Sequence, residues 1–232
     1  MLQLAISIRL IFRQRMVDAA LAKEHDAARS KDLVTDLYNR PYYMTELERM
    51  IGDASKGKND QAMILIEPDN FRHVLDTIGL GNMDLLLGDL ASLMRQYLKE
   101  DDIAGRLGDH TFGILLNTRS TDDIRQLVNT LRKAFEEHIF EIGTQSINLT
   151  ISVGGTLIGE KNANTHSIIN HASKALRTAQ EEGGNRTQVY DPAAEDKADK
   201  EQNRYWLKLL QDALANDSFV LFYQPIISLH GT

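Results

Sequence analysis

Cysteine is absent from this 232-residue sequence, which also holds one tryptophan and only four prolines. Without cysteine there is no disulfide framework and no thiolate metal site, a pattern consistent with a reducing compartment. We therefore expect a cytoplasmic protein.

Long apolar runs and excess positive charge are also missing. The apolar segment at residues 1–12, MLQLAISIRLIF, is too short to span a bilayer and Arg9 interrupts it, so we expect no membrane insertion. Lysine and arginine total 26 against 33 aspartates and glutamates, for a net charge of −7. Because nucleic-acid binding needs a basic face, we expect no nucleic-acid partner.

The composition that remains is that of an ordinary globular protein. Apolar residues make up 42% and charged residues 25% of the chain, which is enough to bury a core. The length fits one large domain, or one domain with appendages.

The first 31 residues look different from the rest. Apolar residues alternate over 1–12, which favours a strand that ends an upstream domain. Residues 13–31 lack glycine and proline and carry a thin apolar stripe, which predicts an exposed connector helix that could also form a dimer contact.

Strands and helices alternate from residue 34 to 190. The apolar periodicity predicts strands at 61–68, on both sides of a turn at Gly108-Asp109, at 146–158 and at 186–190. Helices are predicted at 83–98, 121–138 and 165–184, the last capped at Asn164 or Thr165. This order predicts an α/β (α+β) domain with a mixed central β-sheet flanked by helices.

A polar linker is predicted at 191–203, followed by a helix whose apolar spacing runs from Tyr205 to Leu214. Residues 218–229 then favour a strand that opens another domain.

Five stretches carry a collinear family resemblance. They are DLVTDLYNRPYY (32–43), IEPDNFRHVLDTIGLGNMD (66–84), RLGDHTF (106–112), LTISVGG (149–155) and HASKALRTAQEEGGNRTQVY (171–190). Together they resemble the GGDEF family, the diguanylate cyclase domain of cyclic-di-GMP signalling, which implies a nucleotidyl-cyclase-like fold over 32–190.

A second resemblance follows the first. FVLFYQPIISLHG (219–231) resembles the opening strand of the EAL domain, a cyclic-di-GMP phosphodiesterase or receptor. The two resemblances imply the end of a PAS-like domain and a signalling helix at 1–31, the GGDEF domain at 32–190, a linker and helix at 191–217, and the first EAL strand at 218–232. Among proteins that carry a GGDEF domain followed by an EAL domain, this sequence resembles FimX-type regulators of type IV pili, which implies a role in twitching motility.

The resemblance implies a nucleotide site in which carboxylates hold Mg²⁺. The first carboxylate position is Glu67, one methylene longer than the family's aspartate, and Asp69 is intact. The five-residue GGDEF signature that gives the family its name falls on residues 108–112, and its first glycine is kept as Gly108. Asp109 replaces a glycine and would repel phosphate, while His110 and Thr111 replace two acids and cannot supply anionic oxygens to Mg²⁺.

The phosphate and base positions are changed as well. Gln180 and Gly184 stand where the resemblance implies a lysine and an arginine, while Arg72 keeps one positive charge. Leu75 replaces an asparagine that would contact guanine, and Asp84 remains. One lost polar partner there costs about 1–3 kcal/mol.

The product-inhibition motif of the family falls on Lys99 and Asp102. Lysine lacks the planar fork with which arginine grips guanine and phosphate, so we expect only a remnant of that site.

We therefore expect a degenerate, non-catalytic GGDEF domain without a resident metal or cofactor, retaining at most weak binding of Mg²⁺ or GTP. It would relay signals between a sensor and an EAL domain of the same chain, act as a homodimer, and work with cyclic-di-GMP pathway and pilus proteins. The alternatives are a GTP-binding activator of an EAL phosphodiesterase, a dimerisation spacer and an active cyclase.

Two features of the site could instead have a purely structural role. In that case His110 would be a solvated turn residue. Glu67-Pro68-Asp69 would be a strand-to-helix turn, with Asp69 near the helix N-cap.

Overall fold

The computed structural model describes residues 30–57, 61–117, 121–160, 163–190 and 192–216. The chain divides into two units, the first ending at Tyr190 and the second beginning at Asp191. The strand predicted at 1–12, the connector helix up to residue 29 and the strand predicted at 218–229 lie outside the described residues.

Eight strands and six α-helices make up the described structure. In chain order they are β1 (Tyr38–Asn39), α1 (Arg40–Ala54), β2 (Gln61–Pro68), α2 (Phe71–Ile78), α3 (Met83–Arg95), β3 (Ile103–Arg106), β4 (Phe112–Leu116), α4 (Thr121–Glu137), β5 (Ile139–Ile142), β6 (Gln145–Asn148), β7 (Ile151–Ile158), α5 (Thr165–Glu181), β8 (Thr187–Tyr190) and α6 (Pro192–Ala215).

A six-stranded mixed sheet of order β1-β3-β4-β2-β7-β8 is the centre of the first unit. The four inner strands pair antiparallel, and the two outer pairs, β1 with β3 and β7 with β8, are parallel. A separate hairpin joins β5 to β6. The predicted mixed sheet with flanking helices is confirmed.

Two apolar clusters cover the two faces of the sheet. Ile64 and Ile66 of β2 pack in one cluster with α3 and α4. Met63 and Leu65 point the other way and pack in the second cluster with α1 and α5. Because side chains alternate along a strand, the apolar run of β2 serves both faces.

Two helices begin at side-chain caps. The Asn39 side chain accepts a hydrogen bond from the amide of Tyr42 at the start of α1, where proline stands in the first turn. Asn164 accepts from the amide of Ser167 and starts α5, as predicted.

Several predicted boundaries are wrong. The strand predicted at 146–158 is two strands, because residues 145–148 turn back on β5 through Gly143, which has φ +61°, and only β7 joins the main sheet. The helix predicted at 83–98 ends at Arg95, and residues 96–98 continue with tighter bonds to carbonyls three residues earlier. The helix predicted at 13–31 does not include its last two residues, because Ser30 lies in a turn and Lys31 forms an antiparallel bridge with Tyr38.

The linker predicted at 191–203 is helical. Residues from Pro192 onward form α6 continuously through the helix predicted at Tyr205–Leu214. Alanine, glutamate, lysine and glutamine form helices well, and proline suits the first helical position, so polarity alone misled the prediction. No helix within the described residues has the length and apolar character needed to cross a bilayer.

Gly154 in β7 allows α5 to pack directly on the sheet, which gives a stability prediction. A Cβ at this position would fall on the backbone N and Cα of Leu176 and 2.6 Å from the carbonyl oxygen of Ala172. Because these are backbone atoms, we expect Gly154→Ala to lower the free energy of unfolding by about 2–3 kcal/mol in urea titrations.

The matched control is Gly52→Ala in α1, where an added Cβ meets no atom within 4 Å. It should leave stability unchanged or raise it by up to about 1 kcal/mol, as expected for alanine in a helix. Equal stability of the Gly154→Ala variant and the parent would contradict the packing described here.

Candidate functional site

A cleft of about 920 Å³ opens beside the end of β2 and the start of α2. Its lining includes Glu67, Arg72, Leu75, Asp109, His110 and Gln180. The cleft therefore brings together these six of the site residues predicted from the sequence.

Both oxygens of the Glu67 carboxylate accept hydrogen bonds from uncharged side chains. Thr111 Oγ1 donates to Oε1 at 2.6 Å, and Gln180 Nε2 donates to Oε2 at 2.9 Å. The antiparallel register, in which Ile66 faces Phe112, brings residues 67 and 111 opposite each other. These bonds connect β2, the β3–β4 connection and the end of α5.

Three donors hold the Asp69 carboxylate. Ser152 Oγ donates to Oδ1 at 2.6 Å, while Thr150 Oγ1 and the Asn185 amide donate to Oδ2 at 2.7 and 2.8 Å. The N-cap position of α2 is taken by Asn70, whose side chain makes no capping bond. Asp69 lies next to this N-cap, as predicted, but its carboxylate accepts hydrogen bonds from Thr150, Ser152 and Asn185.

The turn after α5 approaches Asp69 closely because Gly184 has no side chain. Gly184 has φ +71°, and a Cβ there would lie 2.9 Å from both Cγ and Oδ1 of Asp69. Glycine adopts this left-handed conformation without strain. The position where the resemblance implies an arginine is thus one where the backbone needs glycine.

Asn185 extends this network to α4. Its side-chain oxygen accepts from Arg132 Nη1 at 2.7 Å, and its Nδ2 donates to Glu136 Oε1 at 2.8 Å. Arg132 also pairs with Glu136 at 2.8 Å. The hydrogen bonds from Asn185 and Arg132 lower the pKa of Glu136.

The tip turn, residues 107–111, is closed by backbone bonds and by Arg106. The amides of Leu107 and Gly108 donate to the Thr111 carbonyl at 2.8 and 3.3 Å. Arg106 Nε donates to the Gly108 carbonyl at 3.2 Å, and Nη2 donates to the Asp109 carbonyl at 2.9 Å. The predicted turn between two strands is confirmed, and Asp109 lies exposed at its tip.

Asp32 anchors Arg106 from the other side. The Arg106 guanidinium lies 3.5 Å from Asp32 Oδ1, which also accepts from the Thr35 amide and hydroxyl at 2.9 and 2.8 Å. Burial of the Asp32 carboxyl opposes its charge, but the Thr35 hydrogen bonds and the charge of Arg106 outweigh burial and lower the pKa of Asp32.

His110 is packed rather than freely solvated. Its ring stacks on Phe71, with centroids 4.4 Å apart and planes at 17°, and the Phe71 side chain is buried. His110 therefore lies in the turn, as predicted, but its ring is half-buried against Phe71. The aromatic contact ties the tip turn to the first residue of α2.

Some predicted residues do not meet in the cleft. Arg72 is exposed and lines it with Leu75, whereas Asp84 lies exposed in the first turn of α3, outside the lining. Lys99 and Asp102 border another cavity of about 320 Å³. There the Asp102 carboxylate accepts from the Lys99 amide at 2.8 Å.

Sequence reasoning missed four residues of the site: Phe71, Thr150, Ser152 and Asn185. Thr150 and Ser152 lie in a stretch rich in β-branched residues and gave no signal beyond that of a strand. Asn185 follows two glycines, and this Gly-Gly-Asn turn signal could have indicated a left-handed backbone near the site.

The donor set does not fit the Mg²⁺ that the resemblance implies. This ion requires octahedral oxygen ligands that include carboxylates. Among the residues the structure describes, no three His, Asp or Glu side chains converge on one point. Glu67 and Asp69 are already bonded to other side chains.

A family model matches most of this chain. The model described as "Diguanylate cyclase, GGDEF domain" matches residues 29–186. In a crystal structure, the GGDEF domain of FimX from Pseudomonas aeruginosa is similar with a TM-score of 0.65 and 29% identity, covering 69% of this chain and 98% of that one.

Two curated relatives come from Escherichia coli strain K12. The probable diguanylate cyclase DgcT is 27% identical, with 80% of this chain and 41% of the relative covered. The cyclic di-GMP phosphodiesterase PdeR is 28% identical, with 86% of this chain and 30% of the relative covered. The chain spans less than half the length of the curated relatives it matches.

The network around Asp69 gives a stability prediction. Asp69→Asn places an amide group against three donors and removes their charged acceptor, so we expect the free energy of unfolding to fall by about 2–3 kcal/mol in urea titrations. Asp109→Asn, at the exposed tip, is the control and should stay within about 0.5 kcal/mol of the parent. Similar losses in the two variants would refute the role given to Asp69.

The lowered pKa of Asp32 makes its contribution to stability depend on pH. The charged form is favoured in the folded state, so this stability is present above the pKa of the unfolded chain, near 4, and is lost as pH falls through the folded-state pKa. We expect the difference in free energy of unfolding between the parent and Asp32→Asn to shrink as pH falls from about 6 to about 3.

The control for this series is Asp76→Asn, an exposed position on α2. Its difference from the parent should stay nearly constant over the same range. A difference for Asp32→Asn that grows in acid would contradict the direction of the shift.

Proposed function

The chain belongs to the GGDEF family of diguanylate cyclase domains, and we propose that it is a non-catalytic, regulatory member of cyclic-di-GMP signalling. The observation that carries the proposal is the hydrogen bonding of the two carboxylates at 67 and 69. Glu67 and Asp69 are both held by hydrogen bonds from uncharged groups of the domain itself.

The metal requirement of the reaction supports this proposal. Joining two GTP molecules needs a divalent cation and positive charge around the triphosphate. Thr111 offers a hydroxyl where an acid would be needed, and its proton points at Glu67. Such a site lacks one of the anionic ligands that Mg²⁺ requires, and no three acidic or histidine side chains of the described residues converge on one point.

Charge in the cleft also supports it. Three carboxylates, those of Glu67, Asp76 and Asp109, line the cleft, while Arg72 is the single lysine or arginine among the lining residues described. A triphosphate without enough bound cations would be repelled. The exposed Arg72 favours the alternative of a GTP-binding activator, but the surrounding carboxylates weaken that alternative.

The regulatory role rests on the likeness to longer proteins. We propose that the domain relays a signal from an upstream sensor, through the helix predicted at 13–31, to an EAL domain that begins at 218–232. PdeR, a phosphodiesterase by name, matches along 86% of this chain. Control of type IV pili is proposed from the sequence resemblance to FimX-type regulators, whose GGDEF domain is also similar in structure. We also propose that two copies of the chain associate through the helix predicted at 13–31. In the alternative of a dimerisation spacer, this contact would be the domain's whole role.

An assay for cyclic-di-GMP tests the proposal. The full chain is incubated with GTP and either Mg²⁺ or Mn²⁺, and the products are separated by chromatography. We expect no cyclic-di-GMP, while diguanylate cyclase A of Treponema denticola, run in parallel, should form it. Product formation that disappears in Glu67→Gln would overturn the proposal.

Calorimetry addresses the GTP-binding alternative. We expect no binding heat when millimolar GTP and Mg²⁺ are titrated into the chain. Saturable heat that Arg72→Ala abolishes, without any turnover, would favour the activator over the relay.

A further inference from the structure

We propose that Thr111 and Gln180 take the place of a divalent cation at Glu67, so that the cleft is assembled without metal. This inference rests on the proposed function, because it concerns the same site. It adds that the Glu67 clamp, meaning the hydrogen bonds from Thr111 and Gln180 to Glu67, is what holds the site together.

The Glu67 clamp joins three separate segments. Glu67 lies in β2, Thr111 in the tip turn and Gln180 in the last turn of α5, and both bonds, at 2.6 and 2.9 Å, end on the one carboxylate. A cation would bind through the same carboxylate. Each oxygen accepts one hydrogen bond and keeps a further lone pair, so the clamp acts by supplying, from uncharged donors, the contacts that a cation would otherwise make.

The second carboxylate offers no substitute. Asp69 accepts three hydrogen bonds, from Thr150 just before β7, from Ser152 in β7 and from the turn after α5, so rotating it toward a metal would leave donors without an acceptor. Leaving such donors unsatisfied is costly. Asp69 is therefore held in its present orientation by the domain itself.

Residues 111 and 180 are both uncharged and both donate a hydrogen bond to Glu67. A carboxylate at 111 would stand within hydrogen-bond distance of Glu67, and two like charges so close need a cation or a proton between them. Threonine removes the second charge and supplies a proton. Gln180 supplies another to the remaining oxygen, so the cluster needs no external charge.

The test compares thermal unfolding of the full chain in EDTA and in millimolar MnCl₂, followed by circular dichroism. A ligand that binds only the folded state raises the midpoint. We expect no shift of the midpoint for the parent chain. Thr111→Glu should unfold at lower temperature in EDTA and should regain several degrees in MnCl₂, because the ion relieves the repulsion between the two carboxylates.

Thr111→Val is the matched control. It removes the hydrogen bond to Glu67 without adding charge, so its midpoint should fall in EDTA and should not respond to MnCl₂. This difference separates loss of the Glu67 clamp from the creation of a metal site.

Either of two outcomes overturns the inference. One is a rise in the parent midpoint with MnCl₂ that Glu67→Gln abolishes. The other is a folded Thr111→Glu variant whose unfolding midpoint does not change with MnCl₂. If Thr111→Glu does not fold, the test is calorimetric titration of Mn²⁺ into the parent and into Glu67→Gln. Saturable binding by the parent that is lost in Glu67→Gln would overturn the inference.

These results are separable from failure of the proposed function. Mn²⁺ binding at Glu67 without cyclic-di-GMP formation would overturn this inference and leave the regulatory proposal standing. Formation of cyclic-di-GMP would overturn the regulatory proposal itself.

Discussion

The carboxylate of Glu67 is the point on which the rest of the cleft depends. It stands half-buried at the end of a buried central strand, where it faces the cleft. Thr111 and Gln180 satisfy its two oxygens and thereby fix the tip turn and the end of α5 against β2. The walls of the cleft are therefore held by the residues that, in our proposal, take the place of an external cation.

Asp69 extends the same principle to the back of the site. Its three donors come from Thr150 just before β7, from Ser152 in β7 and from a turn whose backbone Gly184 permits, and Asn185 continues the network to Arg132 and Glu136 on α4. At the tip, Arg106 and the His110–Phe71 stack fix the turn. The tip turn therefore keeps its shape through hydrogen bonds and stacking within the domain.

Local patterns in the sequence predicted those parts of the fold that local physics governs. The apolar run of β2, the hairpin at Gly108-Asp109 and the cap at Asn164 each follow from adjacent residues. The predictions failed where the deciding interaction was distant or where polarity was misleading. Glu67 and Gln180 are 113 residues apart, and residues 192–203 are polar yet helical. The sequence indicated which site residues had changed, but not that Thr111 and Gln180 would bond to Glu67.

Manganese, a paramagnetic probe, tests directly whether the cleft holds a metal at Glu67. Mn²⁺ broadens the NMR signals of nuclei close to it, so titrating it into the isotopically labelled chain reports where it binds. If Thr111 and Gln180 take the place of a cation, the amide signals of Glu67, Thr111 and Gln180 will show no selective broadening at low Mn²⁺ concentration. Selective loss of those three signals, reversed by EDTA, would show that Glu67 holds a metal and would refute the proposal.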